Sequence, residues 1–267
     1  MKKICVGIGI LSIGMVQADK PTWQAPEVHN PKALHGYDYV SIATSWARAM
    51  EKVISGTKEL EAIDKPVVTV FGGHEVTKQS PWYKKAYTVS QKLAQQGCVM
   101  VSGGGEGIME AVDCGAASVK NQGVTSVSIN IKGLGQPNGC AQEVVMVDAF
   151  FPRKWLLMHN SSAFVVMPGG IGTIDELGQL VTLMSTNRMA KAPIYVIDTK
   201  YWKNFKRWFT VDALKAGLVS QKAVDLVTFT DDVTKVVDGI MQWIHEQEDV
   251  HAHEQAFALK TEMIGGD

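Results

Sequence analysis

The stretch FPRKWLLMHNSSAFVVMPGGIGTIDEL, residues 151–177, decides the fold of this chain. A short apolar run at 163–167 ends at once in the turn 168–173, and acidic residues follow at positions 175 and 176. An apolar run bounded by turn residues predicts a buried parallel strand, and acidic residues in a first turn are typical of a helix N-terminus. The free N–H groups of that helix would attract an anion such as phosphate. The alternative is a tight strand-to-helix turn without a ligand.

The composition is that of an ordinary globular protein. The 267 residues are 46% hydrophobic and 20% charged, which suffices for one large core or two modest ones. Because the net charge is -1, neither a nucleic-acid partner nor a membrane surface is indicated. The cysteines at positions 5, 98, 114 and 140 show no CxxC spacing and no histidine pattern. We therefore expect neither a metal site nor a disulfide framework.

Residues 1–18 have the three parts of a secretory signal peptide. Lys2 and Lys3 precede an apolar run at 4–16, and Val16-Gln17-Ala18 has the small-x-small form of a cleavage site. The run is short for a transmembrane helix. We therefore expect export to the periplasm or the medium, with no membrane attachment after processing. The alternatives are a glycine-rich buried strand and a cytoplasmic protein.

The remaining chain divides into three parts. Residues 19–65 form a proline-containing arm and a long helix, with apolar residues at helical spacing from about 37 to 63. From 66 to 247, apolar β-branched runs alternate with helical segments, the last two helices being predicted at 202–216 and 232–247. This alternation predicts an α/β domain with a mostly parallel sheet between two helical layers. Residues 248–267 are polar, and we expect a frayed tail.

Three predicted strands end in glycine-rich loops, at 72–73, 103–107 and 169–172. In a parallel sheet these loops lie beyond the carboxyl ends of the strands, where such folds bind ligands. The loops lack the dinucleotide spacing G-x-G-x-x-G and the P-loop signature. The sequence therefore favours a smaller phosphorylated molecule, and we expect no cofactor.

Two motifs carry a family resemblance. Arg153-Lys154, with Met158 four residues after the lysine, and PGGIGTIDE at 168–176 resemble the paired R-K-x-x-x-M and P-G-G-x-G-T-x-x-E motifs of the LOG ("Lonely guy") family. Its members are often mislabelled lysine decarboxylases. The VTVFGG and SGGGEGIMEA segments are also similar, so the resemblance covers roughly residues 66–247. It implies a Rossmann-like fold and a homodimer or higher homo-oligomer with the site near the dimer interface.

The resemblance also implies an activity and its residues. Such an enzyme cleaves the N-glycosidic bond of a nucleoside 5'-monophosphate, AMP or a cytokinin riboside monophosphate, into the free base and ribose 5-phosphate. Carried over by motif, Arg153 and Glu176 are the catalytic pair, and Lys154 and Met158 line the nucleotide site. The other candidate substrate contacts are Gly72, Gly73, Gly103, Gly104, Gly105, Gly169, Gly170, Gly172 and Thr173.

The first glycine loop departs from the family pattern. Relatives often show F-G-S-A-R, whereas this chain has Phe71-Gly72-Gly73-His74-Glu75, so a hydroxyl and a positive charge are missing. The usual contacts of that loop are therefore in question, and the sequence leaves open whether His74 contacts phosphate. It also leaves the preferred base undetermined.

The residue types suit glycosidic cleavage. An oxocarbenium-like state favours a carboxylate near C1', so Glu176 could stabilise the cation, orient the ribose hydroxyls or activate water. Arg153 could hold phosphate or offset charge on the leaving base, but it is a poor general acid. Without the motif, Glu176 would be interpreted as a first-turn acid that interacts with the helix dipole. Arg153 would be interpreted as a solvated residue on a helix. Glu110 could also face the site.

Two other functions stay open. A protein of the same fold could hold a nucleotide or a nucleotide-like cofactor without cleaving it, as the related molybdenum-cofactor carriers do. The presence of both Arg153 and Glu176 favours the enzyme. A pyridoxal-phosphate decarboxylase would need a lysine for a Schiff base, and the sequence shows no recognisable site for one.

Overall fold

The computed structural model of the chain describes residues 39–120 and 123–264. Within these ranges, seven strands form one sheet in the order β4-β3-β2-β1-β5-β6-β7, and every neighbouring pair is parallel. This confirms the predicted α/β fold. The expected signal peptide and arm lie outside the described residues. The strands are β1 Val67–Phe71, β2 Val99–Ser102, β3 Ser126–Ile131, β4 Glu143–Val147, β5 Ala163–Val166, β6 Ile194–Ile197 and β7 Val227–Thr230.

Helices cover both faces of the sheet because successive strand residues point to opposite faces. Val67 and Phe71 pack in one core with α1, α4 and α5, and Val68 and Val70 pack in the other with α2, α3 and α9. The described helices are α1 Tyr39–Glu61, α2 Pro81–Gln95, α3 Ile108–Ala117, α4 Phe150–His159, α5 Ile171–Ser185, α6 Lys203–Arg207, α7 Ala213–Lys215, α8 Gln221–Val224 and α9 Val233–Ile264.

The strand order reverses at the centre of the sheet. The chain moves outward from β1 to β4 and then returns to form β5 on the other side of β1. Ligands of such sheets bind beyond the carboxyl ends of the strands where the order reverses. The loops after β1, β2 and β5 are the three glycine-rich loops, so the topology brings them to that point.

Two helical predictions differ from the structure. The segment 202–216 is α6, a π-helical turn at Trp208–Asp212 and then α7, rather than one regular helix. The helix predicted to end at 247 continues to Ile264 as α9, so those residues are not a frayed tail. The physical reason is that residues 248–264 contain alanine, glutamate and other helix formers and no glycine or proline.

A disulfide corrects the interpretation of the cysteines. Cys114 on α3 and Cys140 in the loop between β3 and β4 are bonded, with Cα atoms 4.8 Å apart. The expectation of no disulfide was wrong because 26 residues separate the two positions and only the fold brings them together. Cys98 is a free, buried thiol.

Among the described residues, membrane-spanning helices and metal-binding clusters are both absent. No helix among them combines the length and apolar character needed to cross a bilayer. The same residues contain no group of three or more His, Cys, Asp or Glu side chains that could hold a metal ion.

Candidate functional site

Backbone hydrogen bonds join the three glycine-rich loops to one another. The Gly73 N–H donates to the Pro168 carbonyl at 3.0 Å, which ties the first loop to the third. The Ile108 N–H donates to the Gly73 carbonyl at 3.0 Å, which ties the second loop to the first. Since each loop also follows a buried strand, the three loops form one preorganised surface.

Two glycines permit the close approach of these loops. Gly107 has φ +67°, and a Cβ there would lie 2.5 Å from the Gly73 carbonyl oxygen. A Cβ at Gly169 would meet the side chain of Thr173 and would lie 2.9 Å from the Gly73 nitrogen. Side chains at these two positions would push the loops apart.

A cleft of about 270 Å³ opens where the loops meet the first turns of α4 and α5. It combines backbone of all three loops with charged side chains from the two helices. Its lining residues are Val70, Phe71, Gly72, Gly73, His74, Gly103, Met109, Phe150, Arg153, Lys154, Gly170, Ile171, Gly172, Thr173, Asp175 and Glu176.

The N-terminus of α5 faces this cleft with unpaired backbone donors. Gly170 is the N-cap residue, and among the described residues no side chain caps this helix. The N–H groups of a first helical turn have no partners within the helix. Together with the helix dipole such groups favour an anion, so the phosphate site that the sequence predicts for this turn stays a prediction.

The guanidinium of Arg153 is held by backbone oxygens at the side of the cleft. Its Nε donates to the Ile129 carbonyl at 2.9 Å, and its Nη2 donates to the Gly103 carbonyl at 2.8 Å. Burial lowers the pKa of Arg153, and the negative charge of Glu176 opposes that shift. An arginine stays charged in such a setting, so the cleft contains a cation in a fixed position.

Glu176 is half-buried in the same cleft, one helical turn into α5. Burial raises the pKa of its carboxyl from 4.5 to about 7, although the nearby charges of Arg153 and Lys154 lower it. Asp175 adds a further upward contribution, and this residue forms an ion pair with Lys154. A carboxyl that titrates near neutral pH can exchange a proton during a reaction.

Most of the residues predicted from the sequence line the cleft. These are Gly72, Gly73, Gly103, Arg153, Lys154, Gly170, Gly172, Thr173 and Glu176. Gly104, Gly105 and Gly169 support the loops without lining it.

Met158 does not line the cleft, so the prediction that it lines the nucleotide site was wrong. Its side chain is 1% exposed in the core, and it lines a separate cavity with Pro66 and Ser162 near the amino ends of β1 and β5. The reason is helical geometry, because five residues after Arg153 correspond to a rotation of roughly 140° around α4.

The cleft also contains residues that the sequence interpretation did not select. Met109, Phe150 and Ile171 supply its apolar surface, and Asp175 pairs with Lys154. The position of Met109, at the start of the helix after a glycine loop, was the available signal. Glu110 instead pairs with Lys78 at 2.7 Å and does not line the cleft.

A second cavity of about 400 Å³ adjoins the cleft. His74, Gly103, Met109 and Arg153 line both spaces. The second cavity extends along Asn130 and Ile131 to the loop between β3 and β4. The two spaces together match the usual size of a site for a small organic ligand.

Comparison with known proteins identifies similar sequences. Residues 109–240 match a family model described as "Possible lysine decarboxylase". The chain is 30% identical over 154 residues to a cytokinin riboside 5'-monophosphate phosphoribohydrolase of Mycobacterium tuberculosis, covering 55% of this chain and 79% of that protein. It is 24% identical over 201 residues to a probable enzyme of the same name from Oryza sativa subsp. japonica, covering 73% and 79% respectively.

Solved structures show the same fold. The molybdenum cofactor binding protein of the phototrophic bacterium Rippkaea orientalis superposes with a TM-score of 0.51 at 19% identity, over 68% of this chain and 99% of that protein. The molybdenum cofactor carrier protein of Chlamydomonas reinhardtii has a TM-score of 0.50 at 19% identity, with the same coverage. At such identities the likeness concerns the fold alone.

Proposed function

The chain belongs to the LOG family, and on this premise we propose that it is a nucleoside 5'-monophosphate phosphoribohydrolase. The substrate would be a purine nucleotide, AMP or a cytokinin riboside 5'-monophosphate, and the products the free base and ribose 5-phosphate. One observation carries the proposal: a carboxyl with a pKa of about 7 shares a cleft with a fixed arginine and the free N-terminus of a helix.

The shape of the two cavities supports the placement of a nucleotide. The 5'-phosphate would bind the N–H groups at the start of α5, where the backbone offers donors and the dipole favours negative charge. The cleft is small for a whole nucleotide, and the second cavity continues past Arg153 and Gly103. We place the ribose beside Glu176 and the base in the second cavity, against Met109 and Leu134.

The charges in the cleft support hydrolysis of the C1'–N bond. As that bond breaks, its electron pair leaves with the base and the ribose develops oxocarbenium character, which a carboxylate stabilises. Glu176 in its ionised form can stabilise this cation and accept a proton from the water that attacks C1'. The base takes its proton from solvent, because Arg153 holds its own proton too tightly. Arg153 instead stabilises negative charge that develops on the base or rests on the phosphate.

Hydrolysis of AMP by the purified protein tests the proposal. Free adenine and ribose 5-phosphate should appear in equal amounts, measured by chromatography, and the Glu176→Gln protein prepared in the same way is the control. Binding of AMP without release of adenine would contradict the enzyme and support the alternative, a nucleotide-binding protein of the same fold. A panel of AMP, GMP, CMP and cytokinin riboside monophosphate compares the bases.

The family description also names lysine decarboxylase. One measurement distinguishes that reaction from nucleotide hydrolysis. A lysine that forms a Schiff base with pyridoxal phosphate must be free to attack the aldehyde. Lys154, the lysine in the cleft, is engaged in an ion pair with Asp175. Lysine should therefore not be decarboxylated when pyridoxal phosphate is added.

We also propose that the protein is exported. The Cys114–Cys140 disulfide supports this, because disulfides persist in oxidising compartments and are rare in the cytosol. Intact-mass analysis of the protein from its native source should show a chain that begins after residue 18. A chain beginning at Met1 would contradict export by a cleaved signal peptide.

A homodimer is the further proposal that the family membership brings. Exposed aromatic side chains on α1 and α4 support it. Phe151 contacts both Trp46 and Trp155, and the neighbouring Phe150 lines the cleft. Exposed apolar patches mark interaction surfaces, and a second copy of the chain would cover this one. Light scattering should give twice the chain mass, and Trp155→Ser should shift the equilibrium toward the monomer.

A further inference from the structure

Asn138, in the loop between β3 and β4, donates hydrogen bonds from its backbone and from its side chain to the second glycine loop. The Asn138 N–H donates to the Gly104 carbonyl at 2.8 Å, and its Nδ2 donates to the Gly105 carbonyl at 3.0 Å. The same Nδ2 donates to Oδ2 of Asp113 on α3 at 2.7 Å. Asn138 therefore connects the loop between β3 and β4 both to α3 and to the carbonyls of two consecutive glycines.

Asp113 extends this connection to β2. Its Oδ2 also accepts from the Ser102 hydroxyl at 2.8 Å, and that hydroxyl accepts from the Gly104 N–H at 2.9 Å. Asp113 is 0% exposed, and burial raises the pKa of its carboxyl to about 7. Burying a carboxyl is costly unless hydrogen bonds compensate, so the network must stay assembled for Asp113 to remain in place.

The disulfide joins the same two elements covalently. Cys114 is the next residue after Asp113, and Cys140 lies two residues after Asn138. The Oδ1 atom of Asn138 accepts from the backbone N–H groups of Cys140 and Ala141, at 3.1 and 3.3 Å. The bond to α3 thus fixes the turn from which the Asn138 side chain reaches the glycine loop.

The glycine loop in turn positions Arg153. The Gly103 carbonyl accepts from Nη2 of Arg153 at 2.8 Å, and Gly103 lies between Ser102 and Gly104, which the network holds. The second carbonyl bonded to this guanidinium belongs to Ile129 in β3. A displacement of the loop between β3 and β4 would therefore move one of the two backbone carbonyls that orient the arginine.

We propose that Asn138 is a positioning residue for Arg153. The Cys114–Cys140 disulfide holds Asn138 where it can bond to the second glycine loop, so full turnover requires the oxidised protein. The effect on turnover rests on the proposed nucleotide hydrolysis, whereas the effect on the loop does not. A dithiol such as dithiothreitol supplies the two electrons and two protons that convert the disulfide into two thiols, and it becomes a cyclic disulfide itself. Reduction then leaves Asn138 held only by hydrogen bonds.

Kinetics of the oxidised and the dithiol-treated protein form the first arm of the test. Reduction should lower kcat for AMP by roughly tenfold, the scale expected when a catalytic group is slightly misplaced. The KM should increase less than it does when Arg153 is removed, because the N-terminus of α5 lies outside this hydrogen-bond network and still binds the phosphate. Cys114→Ser/Cys140→Ser should show the reduced level with and without dithiol. Cys98→Ala, which leaves the disulfide intact, should respond to dithiol like the wild type.

A second pair of variants tests Asn138 with the disulfide in place. Asn138→Asp keeps the oxygen that accepts from Cys140 and Ala141 but removes the donor to the Gly105 carbonyl, because a proton on the new carboxyl would be shared with Asp113. It should therefore lose turnover as Asn138→Ala does, while its disulfide still forms. A disulfide-bonded Asn138→Asp protein with the kcat of the wild type would overturn the positioning role.

Hydrogen exchange provides a readout that does not depend on catalysis. The backbone amides of residues 103–107 should exchange faster after reduction and in Asn138→Asp, while those of the α5 N-terminus stay unchanged. Equal exchange and equal turnover in all forms would overturn the proposal. If no form hydrolysed AMP while exchange still changed as expected, the proposed function would be contradicted, whereas the role of Asn138 and the disulfide in holding the loop would be supported.

Discussion

Replacing Glu176 by glutamine tests the central carboxyl, because it removes the charge and keeps the shape. The folded protein holds the carboxyl proton more tightly than the unfolded chain, since burial raises the pKa from 4.5 to about 7. The resulting stabilisation is complete below pH 4.5 and is lost as the pH rises through 7. Above pH 7 the ionised, half-buried carboxylate therefore lowers the stability of the fold.

The pKa shift gives the size of this effect. One pKa unit corresponds to about 1.4 kcal/mol, so the ionised Glu176 lowers the free energy of unfolding by about 3 kcal/mol at pH 8. We expect Glu176→Gln to be more stable than the wild type at pH 8 by up to that amount. At pH 4, where both side chains are neutral, the two proteins should have similar stability.

Turnover should change in the opposite direction. Loss of one preorganised charge opposite a developing cation lowers kcat by roughly a hundredfold, or about 2.7 kcal/mol. For the wild type, kcat/KM should increase with pH as Glu176 ionises, with the midpoint of the rise near pH 7. For Glu176→Gln this increase should be absent. Binding of AMP should change little, because the N-terminus of α5 and not the carboxylate holds the phosphate.

The assays are urea unfolding at pH 4 and pH 8, steady-state hydrolysis of AMP from pH 5 to 9, and calorimetric binding of AMP. Glu110→Gln is the matched control, because Glu110 is an acid outside the cleft that pairs with Lys78. Near-normal turnover of Glu176→Gln would refute the assigned role. A variant that is inactive but no more stable at pH 8 would refute the electrostatic account of the pKa.

Four other substitutions have expected outcomes. Arg153→Met removes the positive charge that lowers the pKa of Glu176, so the midpoint of the pH–rate profile should move upward and the KM for AMP should increase. Tyr201→Phe removes the hydroxyl that donates to the Gly169 carbonyl at 2.6 Å, and calorimetry should show AMP binding weakened a few-fold, with kcat nearly unchanged. Gly107→Ala should lower the free energy of unfolding by about 2 kcal/mol, because φ is +67° and the added Cβ meets the Gly73 carbonyl. Gly178→Ala, in the middle of α5 with open space around it, should raise that free energy by about 0.5–1 kcal/mol in the same denaturation experiment.

Local patterns were enough for the elements and for much of the cleft. An apolar run such as 163–167 can only be buried, and a helix that follows a glycine turn must present free N–H groups. The parallel arrangement then places the three glycine loops at one edge of the sheet. The motif positions Arg153, Glu176 and Thr173 consequently line one cleft in the structure.

The features that the sequence did not predict depend on contacts between residues that are distant in the sequence or on how a helix packs. Met158 belongs to the same motif as Arg153, but it lies on the core face of α4 and therefore away from the cleft. The pKa of Glu176 depends on burial and on neighbours contributed by another helix. Local pattern also cannot show a π-helical turn, which depends on how Phe209 packs into the core.

The sequence by itself determined a parallel α/β sheet with glycine loops that suit a phosphate, because periodicity and turn chemistry are properties of neighbouring residues. Only the tertiary structure decided that Cys114 meets Cys140 and that Asn138 holds Gly104 and Gly105. These contacts join residues more than twenty positions apart, and no local preference encodes them. They form because β3 pairs in parallel with β2, which places the loop after β3 beside the second glycine loop.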